Sequence, residues 1–290
     1  MTGGPDETPD QRGSDHAADP GSVPPRPIRA YPDLGVRLAS AIVLIAIALI
    51  DFWQGGVWVT ALVTLGTGLM IWELRRMLTP RLSLKDPAMW CAITAGGASI
   101  VVTGFHSLWV GLVLLPAGVI PVLLVRRGHT FWMAAGIVYI SVAMALLVEM
   151  RRHPEFGFPL VLWLVSVVIA ADAGAYFAGR LIGGPKLWPK VSPNKTWAGA
   201  IGGLALAVAV GAGFYFAGQV TLPWLVALSA VLAMASQAGD LLESWIKRRF
   251  GVKDSSSIIP GHGGLLDRFD GLIGALWAYA LLTLAGVAGG

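Results

Sequence analysis

Long apolar runs separated by short polar breaks fill this chain from residue 36 to its end. About 20 apolar residues in a helix cross a hydrocarbon layer roughly 30 Å thick. On that length the runs predict nine membrane spans: 36–53, 56–73, 88–105, 107–125, 130–149, 158–179, 196–218, 222–241 and 271–289. Residues 1–30 break the pattern, being rich in Pro, Gly, Asp and Ser with almost no large apolar side chains. Such a segment is expected to stay disordered, because it buries too little surface to offset its ordering entropy. The chain does not open on a short charged region leading into an apolar core, so no cleavable signal peptide is expected and the first run is read as a span. The organisation is then a tail over 1–30, about five spans within 31–155, and a C-terminal transmembrane region over 156–290. That last region carries two long polar loops, 180–195 and 242–270. No internal repeat is visible, which argues against an inverted-repeat transporter.

Composition turns this pattern into a fold class. Mean hydropathy is +0.68. Apolar residues make up 55% of the chain and charged residues 13%, against about 25% charged in ordinary soluble domains. The expectation is an all-α polytopic membrane protein. Charge then orients it. With a cytoplasmic N-terminus, every Lys and Arg except Arg151 and Arg152 falls on the inner side, as the positive-inside bias requires. The same bias explains the net charge of +4, so no nucleic-acid partner is expected; membrane lipid is. The single cysteine, Cys91, lies in an apolar run and suggests neither a disulfide nor a thiolate metal site.

The chemistry collects in the two long inner loops and beside them. Asp267 and Asp270 stand three apart, on one face of a helix if that segment is helical. Two such carboxylates can hold a hard divalent cation against a substrate phosphate. Gly263 and Gly264 are read as letting backbone approach a ligand closely. His262, between Pro260-Gly261 and those glycines, is equally a base, a phosphate contact or a turn residue. Asp240, Glu243 and Lys247 share one face of a helix leaving the membrane. Lys247, Arg248 and Arg249 form a juxtamembrane basic cluster suited to anionic headgroups. Asp172 lies within a predicted span, two turns before Arg180; an ionisable residue at that depth is a functional candidate, the other reading being a structural partner for Arg180 or another basic residue at the membrane edge. Further on, Ser192 is placed to cap a helix with Pro193 at its first position. The helix start with Lys195 and Thr196 beside it would make an anion site. Gly199, Gly202 and Gly203 permit close helix packing. No GxxxxGK[ST], GxSxG or HExxH is present, which argues against a Walker nucleotide site, a serine hydrolase and a zinc protease.

These stretches together resemble a known family. The run S-W-I-K-R-R-F-G-V-K-D-S-S-S-I-I-P-G-H-G-G-L-L-D-R-F-D, residues 244–270, is similar to the signature of the phosphatidate cytidylyltransferases, or CDP-diacylglycerol synthases. D-x-x-A-Y-x-x-G-R, from Asp172 to Arg180, and S-P-x-K-T-W, from Ser192 to Trp197, resemble that family's other shared stretches. The likeness covers about residues 160–275. It departs at Ala198, where Glu or Gln is frequent, and at Gly271, where Ser is usual.

The resemblance implies the reaction CTP + phosphatidate → CDP-diacylglycerol + pyrophosphate, at the cytoplasmic face of a bacterial-type inner membrane. It implies Mg²⁺ as cofactor, with room for a second metal or a monovalent cation. The metal ligands would be Asp240, Glu243, Asp267 and Asp270. Lys247 and His262 would join Asp240, Asp267 and Asp270 in catalysis. Ser192, Asn194, Lys195 and Thr196 would hold the nucleotide. Arg180, Lys247, Arg248, Lys253 and Arg268 would hold the lipid phosphate, with Asp172 and Asp254 supporting from behind. Glycine-rich spans near 196–218 and 271–289 can support a homodimer. A CTP-dependent enzyme with another lipid acceptor fits the same residues. A transporter fits poorly, because the charges sit in two loops rather than deep in several spans.

Overall fold

The structure, a computed structural model, describes residues 1–3, 46–79, 86–125, 129–220, 224–259 and 263–286. Most of the predicted tail, the start of the first predicted span and His262 lie outside these residues. The chain is an all-helical membrane protein with one small hairpin. Residues 46–54 are helical, at the end of the first predicted span. The helices that follow are α1 (Gly56–Leu78), α2 (Pro87–Phe105), α3 (Leu108–Leu112), α4 (Leu115–Val125), α5 (Thr130–Arg151) and α6 (Gly157–Leu181). Strands β1 (Lys186–Trp188) and β2 (Ser192–Thr196) come next, then α7 (Trp197–Phe216), α8 (Leu225–Arg249) and α9 (Leu266–Leu284). Among the described residues, seven segments are long and apolar enough to cross a membrane, with α3 and α4 together making one of them. α9 coincides with the ninth predicted span but opens on Asp267, Arg268 and Asp270.

Local chemistry explains where these elements begin and break. α2 starts at Asp86, whose Oδ1 accepts from Ala88 N at 3.2 Å, with Pro87 in the first turn where its missing N–H goes unneeded. Asp86 also pairs with Arg75 from the end of α1. The span over 108–125 is interrupted because Pro116 has no N–H for the carbonyl of Leu112. The expected cap at Ser192 is not formed. Ser192 to Thr196 instead pairs antiparallel with β1, Lys186 opposite Thr196 and Trp188 opposite Ser192. The cap is Thr196, whose Oγ1 accepts from Gly199 N at 3.0 Å. An alternative partner, the β1 edge, takes the extended backbone that precedes Thr196. The loops are also shorter than the hydropathy pattern suggests. α8 runs two turns past its apolar run to Arg249, and the charged start of α9 is helical.

Small residues bring the C-terminal helices into backbone contact, the packing open to helices that lack a hydrophobic drive in lipid. A Cβ on Gly203 would stand 2.4 Å from the Ala171 carbonyl, and one on Gly174 2.6 Å from that of Gly202, so α6 and α7 touch main chain to main chain. α8 and α9 do the same. A Cβ on Gly239 would lie 2.6 Å from the Asp270 carbonyl, and one on Gly274 2.5 Å from that of Ala235. Because Gly239 precedes Asp240, this contact puts Asp240 beside Asp270. Between α6 and α8, buried Trp163 donates its indole N–H to Ser229 Oγ at 2.9 Å.

Gly203→Ala is expected to lower stability by about 1–3 kcal/mol, as overpacking a tight interface does. Gly213→Ala, on the same helix with open space at its Cβ, should be neutral. Thermal unfolding in detergent micelles measures both.

Candidate active site

One end of the bundle gathers the C-terminal ends of α1, α6 and α8, the start of α9 and the hairpin. A cleft of about 520 Å³ opens there, lined among others by Asp172, Arg180, Asn194, Lys195, Thr196 and Asp240. The hairpin sets its floor: β2 delivers Asn194 and Lys195, and its last residue caps α7. Lys195 Nζ meets Asp240 Oδ2 at 2.5 Å. Ser244 donates its hydroxyl to Asp240 Oδ1 at 3.3 Å, one turn along α8. Arg180 donates to the Tyr176 hydroxyl at 2.7 Å rather than pairing with Asp172. The cleft is therefore cationic on the hairpin and α6 sides and acidic on the α8 side. Beyond it the surface turns apolar, with Phe177, Leu181, Ile182, Trp197 and Ile201 all exposed.

Behind Asp240 the acidic residues continue inward. Asp270 lies in the electrostatic field of Asp240, Lys247 and Asp172, and Glu243 in that of Asp270, Lys247 and Asp267. Lys247, which is 11% exposed, joins two of them: its Nζ stands 2.8 Å from Asp267 Oδ1 and 3.2 Å from Glu243 Oε1. Helical spacing places Glu243 and Lys247 one turn apart, so one ammonium serves both helices. Asp267 is fully engaged. Ser255 N donates to both its oxygens, at 3.1 and 2.9 Å, and Gly264 N donates to Oδ2 at 2.9 Å. Burial pushes its carboxyl up, but the Lys247 ammonium and the Gly264 amide more than offset this and hold it below the usual aspartate range. Asp267 precedes the apolar part of α9. Glu243 is the opposite case. It is 6% exposed, with the Lys247 ammonium 3.2 Å from Oε1 and no hydrogen-bond partner on either oxygen.

The residues predicted from sequence thus fall into three groups. Asp172, Arg180, Asn194, Lys195, Thr196 and Asp240 meet at the cleft. Glu243, Lys247, Asp267 and Asp270 form the acidic file behind it. Ser192, half-buried in the hairpin, and the exposed Arg248, Lys253 and Asp254 are not in the cleft lining. Arg268 is exposed and makes contacts of its own. Lys247 is held between two carboxylates, Glu243 and Asp267. The paired glycines lie against the start of α9 and Glu73. Gly263 has φ +84°, and a Cβ there would sit 3.1 Å from Asp267 Oδ2. The chain's own carboxylates approach both glycines.

Sequence reasoning missed three residues. Tyr176 and Gln237 line the cleft, Gln237 donating to the Ala200 carbonyl at 3.2 Å. Glu73, buried in α1, reaches the loop that leads into α9. A lone acid within an apolar run was the available signal for Glu73.

The fit to a divalent cation can be judged from the donors alone. Among the described residues no three His, Cys, Asp or Glu side chains already converge on one point. Yet Glu243 has two buried oxygens without a hydrogen bond, Asp270 lies close to it, and Asp240 lies close to Asp270. Hard carboxylate oxygens of this kind suit Mg²⁺.

A family model described as the cytidylyltransferase family matches residues 35–285. A phosphatidate cytidylyltransferase of Brucella suis biovar 1 (strain 1330) is 40% identical over 259 residues, covering 88% of this chain and 93% of that protein. One of Bacillus subtilis (strain 168) is 37% identical over 168 residues, 56% of this chain and 62% of that protein. One of Helicobacter pylori (strain ATCC 700392 / 26695) is 44% identical over 133 residues, 45% of this chain and 49% of that protein. The likeness therefore extends well beyond residues 160–275 and takes in α1 to α5.

Removing Lys247 leaves two buried carboxylates without their shared cation. Lys247→Met is expected to cost about 3–5 kcal/mol, the range for breaking a buried ion pair from one side. Lys253→Met, at an exposed position, should stay within about 0.5 kcal/mol. Chemical denaturation in mixed micelles distinguishes them.

Proposed function

This chain belongs to the cytidylyltransferase family, and on that premise we propose that it transfers the cytidylyl group of CTP to phosphatidate, giving CDP-diacylglycerol and pyrophosphate. The observation that carries this reading is the cleft itself. Cations and hydroxyls for a polyphosphate face a carboxylate file across it, at a bundle end bordered by apolar surface.

In the reaction a phosphate oxygen of the lipid attacks the α-phosphorus of CTP. The bond from that phosphorus to the bridging oxygen of the β-phosphate breaks, and pyrophosphate leaves. No protein nucleophile is needed, because the acceptor phosphate is one. The protein must bring two anions together in line and neutralise them. Lys195 and Asn194 hold the triphosphate from the hairpin, with the Thr196-capped start of α7 beneath them. Arg180, steadied by Tyr176, takes the lipid phosphate, and Asp172 orients the cations around it. Mg²⁺, held by Glu243 and Asp270 with Asp240, would neutralise the phosphates and the leaving pyrophosphate. Lys195 pairs with Asp240 in this structure, so handing Lys195 to a nucleotide phosphate frees Asp240 oxygens for a cation. Asp267 is the anchor of the loop. The site would face the cytoplasm of a bacterial inner membrane, the side that supplies CTP and that the basic residues favour.

The test is incorporation of labelled CTP into chloroform-soluble product by purified protein with phosphatidate and Mg²⁺. Asp270→Asn is expected to lower kcat by about 10²-fold or more, the scale for losing a preorganised electrostatic group. Lys195→Ala should act mainly through a raised KM for CTP. Asp267→Asn should lose activity together with stability. Product with another phospholipid or a polyprenol, and none with phosphatidate, would reassign the acceptor. Full activity in Asp270→Asn would remove the cation site assigned here.

A further inference from the structure

We propose that Glu73, a carboxylate of α1 outside every sequence motif, is the positioning residue for the acidic start of α9. The proposal rests on the transfer reading above. Glu73 is fully buried. Its Oε1 accepts from Leu265 N at 2.9 Å and Ser256 Oγ at 2.6 Å, and its Oε2 from Leu266 N at 2.6 Å and Ser255 Oγ at 3.5 Å. All four donors are neutral.

Two of those donors are the amides that open α9. A helix cannot satisfy its first N–H groups internally, and Leu265 at the N-cap offers no side-chain hydrogen bond. Glu73 supplies the missing acceptors from a helix 193 residues away in sequence, with its negative charge against the positive end of the helix dipole.

The loop is gripped from both sides. Ser255 gives its amide to Asp267 and turns its hydroxyl towards Glu73. Gly264 gives its amide to Asp267, and the next two amides go to Glu73. An isolated antiparallel bridge joins Ile259 to Gly263, 3.0 Å from N to O. The second glycine of the motif follows from this grip. A Cβ on Gly264 would stand 2.0 Å from Ser255 Oγ and 2.8 Å from Glu73 Oε1. The side-chain space at 264 is already filled by Glu73 and the serine bound to it.

Asp267 and Asp270 lie within the first turns of the helix that Glu73 caps. Their register against Asp240 and Glu243 on α8 depends on where α9 begins. Lys195 and Asn194 stand on the hairpin, and Lys195 meets the acidic file through Asp240 of α8. Glu73, which grips the start of α9, acts on the chemical step and not on nucleotide capture. A misplacement of about 1 Å can cost about 10²-fold in rate.

The experiment uses the full-length protein in micelles, as wild type, Glu73→Gln, Ser256→Ala and the double variant. Steady-state kinetics with CTP and phosphatidate are combined with hydrogen exchange over 253–259 and 263–270. Expected for Glu73→Gln is a kcat about 10- to 10²-fold lower, with the KM for CTP within about threefold of wild type. Exchange should quicken in those two segments and not in the hairpin or α7. Ser256→Ala should move both readouts the same way by a smaller amount, and the double variant should be no worse than Glu73→Gln, since the two act as a unit. Wild-type kcat and exchange in both single variants would overturn the proposal. So would a rise in KM accompanied by faster exchange throughout, the mark of a merely structural acid. If Glu73→Gln does not fold, Ser256→Ala decides in the same terms. Failure of the wild type to use phosphatidate would sink the transfer reading alone, because exchange still tests the grip of Glu73.

Discussion

A carboxylate removed from water is stable only among donors or beside a cation, and the catalytic end of this protein is organised by that requirement. Glu73, Asp240, Glu243, Asp267 and Asp270 come together where α1, α8 and α9 meet. Each is handled differently. Lys247 is shared between α8 and α9, backbone amides surround Asp267, a helix start surrounds Glu73, and Lys195 reaches Asp240 from the hairpin. Glu243 is left with unbonded oxygens. Lys247 stands beside Glu243 without hydrogen-bonding it, and those buried oxygens are where the proposed cation would bind.

The apolar framework makes this arrangement possible. Backbone contact at Gly239 and Gly274 brings α8 against α9 closely enough for Asp240 and Asp270 to feel one another. The same kind of contact at Gly174 and Gly203 fixes α6 on α7 and so sets the width of the cleft between Arg180 and the hairpin. Specific packing in the membrane and specific chemistry at its edge are thus two readings of the same glycines.

Much of this was legible in the chain. Apolar run lengths placed the helices, because the thickness of the hydrocarbon layer imposes one length on all of them. Spacing of three and four placed Glu243 with Lys247, because helical periodicity is local. Three things were hidden. The cap at Thr196 depends on β1 competing for the backbone of Ser192 to Asn194, a partnership that no local propensity shows. The exact ends of α8 and α9 were not given by hydropathy, which records where apolar residues end, whereas helices continue through charged turns as the spacing of Asp240, Glu243 and Lys247 indicated. The bond between Glu73 and Leu266 joins residues far apart in sequence, and a single acid in an apolar run gives no hint of its partner.

The apolar border of the cleft has a consequence for how its kinetics are expressed. Phe177, Leu181, Ile182 and Ile201 present a hydrocarbon-compatible surface beside Arg180. A lipid acceptor arriving across it diffuses in two dimensions and never passes through bulk water. Its availability is then a mole fraction of the surrounding film and not a molarity. Diluting the acceptor with inert lipid slows such a reaction, whereas adding more vesicles of the same composition leaves it unchanged.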